Sequence, residues 1–153
     1  MVVTQPVTLG HTPLPFTRDE LLKIEGCVPR EFLVKLGDPT SGEPASVESV
    51  LAHLQSSSIV HLACHGIQDM NWPLESALIL EDGQELKISR IMALSMPSAS
   101  LAFLSACETA AANGNLPDES MHIAASLLFA GFRGVVATMW CVIILEMILE
   151  GKM

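Results

Sequence analysis

IVHLACHG, residues 59–66, sets the architecture of this chain. Ile59 to Ala63 is a short run dominated by β-branched and apolar residues, opened by the polar Ser56-Ser57-Ser58 and closed at His65-Gly66. A strand that is apolar on both faces belongs in the middle of a parallel sheet with helices above and below it. LAFLSACETA, residues 101–110, has the same build: Leu101 to Leu104 is apolar and the segment then turns polar and reactive at Cys107.

Outward from these two runs, short β-type segments alternate with helical ones, the pattern of an α/β protein. Val2 to Thr4 reads as a first strand, followed by a turn-rich loop, QPVTLGHTPLP. Thr17-Arg18-Asp19-Glu20 has capping-box spacing and predicts a helix carrying Leu21, Leu22 and Ile24 and stopping at Gly26. Phe32 to Leu36 is expected to be a second strand, and GDPTSGEPA a loop. Ser46 is placed to cap a helix whose Val47, Val50, Leu51 and Leu54 fall on one face. Ala77 to Leu80 and Glu85 to Ile88 flank Asp82-Gly83, a two-residue hairpin signal. A short helix opening at Ser89, a helix over Ser120 to Ala130 and a strand over Gly134 to Met139 complete the expected elements.

The totals narrow the function classes. The 153 residues suit one domain, half of them are apolar, and 16% are charged. A formal charge of -9, without a basic run, speaks against nucleic acid or an anionic membrane surface as partner. Four single cysteines, no CxxC pair and no visible secretory leader point to reduced thiols and a cytoplasmic location. Residues 134–149 are strongly apolar, but they fall short of the roughly 20 residues a span requires and contain Glu146, so a strand plus a tail is expected.

The chemistry expected here lies at the two strand ends. In a parallel sheet, consecutive crossover strands emerge on the same carboxyl edge, where open α/β sheets build their sites. His65 and Cys107 can meet there. A thiol needs help to become the nucleophilic thiolate, and an imidazole can take its proton and later protonate a leaving amine. The amides of Gly66 and Cys107 are candidates for an oxyanion hole. Separately, each residue has a plainer reading, a cysteine packed in a core and a histidine in a turn. His61, Cys64 and His65 invite a metal reading, but alternation sets Cys64 on the opposite face, and a closed site lacks a fourth ligand. No metal or cofactor is therefore expected. His11, His53 and His122 read as loop or helix-surface residues, and Cys27 and Cys141 as structural ones.

With SSIVHLACHG, SALILEDGQELKISRIM, LAFLSACETA and LPDESMHIAASLLFAGFRGVVATMW in this order, and GHTPLPFTRDEL ahead of them, the chain resembles the CHAT domain, a caspase- and separase-like group of cysteine peptidases, in its fungal form. The resemblance implies a three-layer caspase-like α/β sandwich with a mainly parallel sheet and a β-hairpin insert. It also implies His65 as the catalytic histidine and Cys107 as the nucleophile. A partial CHAT domain over residues 1–140 and a divergent apolar tail over 141–153 are expected, because the family continues differently after ATMW. The expected activity is cysteine-type endopeptidase action on a protein or peptide, with a basic residue before the cut and weakened by the missing ends. A regulatory or repeat-domain partner would accompany it. The alternative from another class is a catalytically silent interaction module on the same fold. A doubly wound nucleotide or flavin binder is disfavoured because no GxGxxG follows the first strand.

Overall fold

A computed structural model of the chain describes residues 1–40, 43–69, 71–105, 107–108 and 121–137. Five strands, β1 (Val2–Thr4), β2 (Lys35–Leu36), β3 (Ile59–Ala63), β7 (Leu101–Leu104) and β9 (Gly134–Ala137), form one sheet in the order β2-β1-β3-β7-β9. Every pair in it is parallel. β3 lies at its centre, as its apolar run requires. Val60 and Leu62 are fully buried and share a core with Val3, Leu36, Ala102 and Leu104.

That core is closed by helices α2 (Val47–Leu54), α3 (Ile88–Met92) and α4 (Met121–Phe129), through Val50, Leu54, Ile88, Ile91, Ile123 and Leu127. Each such fully buried side chain contributes about 1.5–3 kcal/mol, so this face holds the domain together. Helix α1 (Thr17–Cys27) lies against β1 and covers the opposite face, where its Glu20 bonds His61, so the sheet is sandwiched between helices. Ser46 caps α2 as expected, its hydroxyl accepting from the Ser49 amide at 3.1 Å.

A second sheet carries the hairpin. β5 (Ala77–Ile79) and β6 (Glu85–Lys87) pair antiparallel, with Asp82 and Gly83 both at positive φ, as a tight primed turn demands. Two further strands join them, β4 (His65–Ile67) and β8 (Cys107–Glu108), in the order β6-β5-β4-β8. The hairpin is thus part of a separate four-stranded sheet. β3 and β4 are one chain segment interrupted only at Cys64, and β7 leads into β8 across residues 105–106. Both segments leave the first sheet at the same level and enter the second side by side.

Several boundaries differ from expectation. Thr17 is already helical, with Phe16 at the N-cap position; its hydroxyl donates to the Leu14 carbonyl, and Glu20 does not reach back to close a box. Gly26 lies within α1, which ends at Val28 because a residue preceding proline is pushed to extended geometry. The segment expected to be the second strand begins as a 3-10 turn, Arg30–Phe32, with Phe32 exposed, and only Lys35–Leu36 pairs. α3 opens at Ile88, with Lys87 and not a serine at its cap. Thr138, Met139 and the tail over 141–153 lie outside the described residues. Among the described residues, no helix is long and apolar enough to cross a membrane.

Candidate active site

The strand switch decides where the reactive residues stand. His65 and Cys107 were expected at the ends of two strands of one sheet; each instead opens a strand of the second sheet. The register of the parallel β4–β8 pair makes His65 the Cα partner of Cys107, and Gly66 that of Glu108. The backbones of the expected histidine and nucleophile are therefore immediate neighbours. Gly66 is buried in mid-strand, between Leu78 of β5 on one side and β8 on the other.

His65 is 1% exposed. Its Nε2–H donates to the Thr12 carbonyl at 2.8 Å, which leaves the lone pair of the neutral ring on Nδ1. Nδ1 is buried and has no hydrogen-bond partner among the described residues. The loop after β1 supplies a second neighbour. His11 stacks on His65, with ring centroids 4.8 Å apart and planes 28° from parallel. The loop is held in place by backbone bonds from Gln5 N to Ala63 O and from Leu14 N to Pro6 O. His11, expected to be a loop or helix-surface residue, does lie in a loop, and that loop lays its ring against the candidate histidine. Thr12 acts through its main chain, which no sequence pattern announces.

Burial lowers the pKa of His65 below its ordinary 6.5; the bond to Thr12 opposes this, and His11 adds to it. The ring is therefore held neutral near pH 7, with a basic nitrogen available. The unfolded chain takes up this proton first as pH falls. The corresponding stability is present above pH 6.5 and is lost as pH falls through the folded value. We expect the urea midpoint of the wild type to fall between pH 7.5 and the acid side of 6.5 more steeply than that of His65→Gln. Parallel pH profiles for the two proteins would contradict this.

His61 Nε2–H donates to Glu20 at 2.8 Å, and Cys64 is buried in the core. No group of three or more potential ligands gathers among the described residues. Cys27 is exposed at the end of α1 and is not a packed structural thiol. The side chain of His122, and Cys141 altogether, lie outside what is described.

A comparison with protein families matches the CHAT domain over residues 1–144. The chain belongs to the CHAT domain family. No curated protein matches its sequence. CHAT membership fits the parallel sheet with flanking helices and links the chain to caspase-like peptidases. In this CHAT domain the two short motifs HLACHG and LSACETA supply both strands of the β4–β8 pair.

Proposed function

We propose that this CHAT domain is a cysteine endopeptidase core with Cys107 as nucleophile and His65 as acid and base. The observation that carries the reading is the His65–Cys107 register, together with an Nδ1 lone pair that no described residue uses. In this mechanism Nδ1 takes the proton of the Cys107 thiol, and the thiolate attacks the scissile carbonyl carbon. The resulting oxyanion accepts hydrogen bonds from main-chain amides, for which Gly66 and Cys107 are the candidates. The imidazolium returns the proton to the leaving amine as the C–N bond breaks, leaving a thioester on Cys107. His65 then deprotonates a water that attacks the thioester, and the thiolate departs to be reprotonated.

The Thr12 carbonyl has a definite part in these steps. It fixes the ring plane and the tautomer, and it stabilises the imidazolium by accepting from Nε2–H. The substrate class is a protein or peptide, and the chain's net charge of -9 favours a basic residue before the cut. A peptidyl acyloxymethyl ketone tests the reading. We expect it to label the wild type on Cys107 and to leave Cys107→Ala unlabelled. Equal labelling of the two proteins, or labelling confined to Cys27, would remove the peptidase reading in favour of a silent module.

A further inference from the structure

Glu20 ties helix α1 to two segments of the sheet. From α1 its carboxylate reaches the sheet and accepts two hydrogen bonds, from His61 Nε2–H at 2.8 Å and from Ser105 Oγ–H at 3.1 Å. His61 belongs to β3, and Ser105 directly follows β7. The two strands are already matched there: His61 is the Cα partner of Phe103 and stacks on its ring at 5.4 Å, and the Ser105 amide bonds the Leu62 carbonyl at 2.9 Å. One carboxylate therefore grips both chain segments near the carboxyl end of the β3–β7 ladder, shortly before each crosses to the second sheet. Downstream of those grips, the chain runs from β3 to His65 at the start of β4 and from β7 to Cys107 at the start of β8.

We infer that Glu20 is a positioning residue for the His65–Cys107 pair, fixing the stagger with which the two strands enter the second sheet. The inference rests on the peptidase reading above. Two features separate this role from simple attachment of the helix. α1 has its own apolar anchor, Leu21, which is 3% exposed. The carboxylate, an acceptor only, receives a donor from each of two strands, so it ties the strands to each other as well as to the helix. A small change of stagger near the end of that ladder is carried directly into the separation of the reacting groups, and such misplacement is costly to rate.

The test compares Cys107 alkylation by iodoacetamide, read by peptide mass mapping, in the wild type, Glu20→Gln, Ser105→Ala and Leu21→Ala. Glu20→Gln is nearly isosteric but cannot accept from both donors as the carboxylate does, and Ser105→Ala removes one donor with little change of shape. We expect each to slow Cys107 alkylation by about tenfold, and with a peptide substrate to lower kcat while leaving KM within about twofold. Leu21→Ala should lower the urea midpoint yet leave the alkylation rate within about twofold of wild type, because it touches neither grip. Wild-type rates in both Glu20→Gln and Ser105→Ala, with wild-type Cys107 faster than Cys27, would overturn the role of Glu20 alone. A wild-type Cys107 no faster than Cys27 would overturn the peptidase reading and this inference with it.

Discussion

Replacing His65 with glutamine is expected to lower peptide turnover by about 10²–10⁴-fold, the usual contribution of a positioned acid–base group. The glutamine amide can still donate toward the Thr12 carbonyl, so the fold around the site is retained while the basic Nδ1 is lost. The loss should fall on kcat, because proton transfer belongs to the transition state and not to substrate binding. Labelling of Cys107 by an electrophile should slow as well, since its thiol would lack the neighbour that accepts its proton. Steady-state kinetics of purified His65→Gln and Cys107→Ala, alone and combined, check this. If the pair acts as a unit, the double variant is hardly worse than either single one. Turnover within a few fold of wild type in His65→Gln would mean that another base serves the thiol.

Gly37→Ala is expected to cost about 2–5 kcal/mol of stability and to damage the site as well. Gly37 has φ +78°, and a methyl group there would overlap the Thr4 carbonyl oxygen and lie 2.8 Å from Gln5 Nε2. Those two residues end β1 and begin the loop that brings His11 and Thr12 against His65. Relief of the clash must displace this loop, the β2 turn, or both. Gly10 provides the control: it has φ +79°, but nothing lies within 4 Å of an added methyl, so Gly10→Ala should cost only about 1–2 kcal/mol of backbone strain. Urea denaturation curves order the two variants. Equal midpoints for Gly37→Ala and Gly10→Ala would show that the chain absorbs the collision without strain.

Much of the fold was legible because burial and turn chemistry write directly into sequence. The apolar runs of β3 and β7, the cap at Ser46 and the Asp82-Gly83 turn all stand where their residue types require. The change of sheet was not legible. Ile59 to Cys64 is apolar almost without interruption, so nothing in its pattern marks the break between Ala63 and His65. Glu20 is ambiguous for a related reason: a glutamate three residues after a threonine has capping spacing whichever way its side chain turns. Phe32 is apolar enough to read as the start of a strand, yet it closes the 3-10 turn that Pro29 opens. In the site, the pairing of His65 with Cys107 could be anticipated from two reactive ends on parallel strands. The Thr12 carbonyl could not, since every residue has one, and nothing in a loop histidine such as His11 announces that its ring stacks on His65.

The span between Thr12 and His65 bears on when, as well as where, the proposed chemistry can arise. The hydrogen bond that orients the imidazole joins residues 53 positions apart, and the ladder partner of His65 comes later still, in β8. Contacts between such distant parts of a chain form late, after the entropy of closing the intervening segments has been overcome. During synthesis, a nascent chain therefore carries the histidine long before it has an oriented ring or a neighbouring thiol. If the proposed activity holds, the emerging polypeptide would lack it until both partners have been made. Under the proposed mechanism, any opening of the loop after β1 would take the orienting carbonyl away from His65 again.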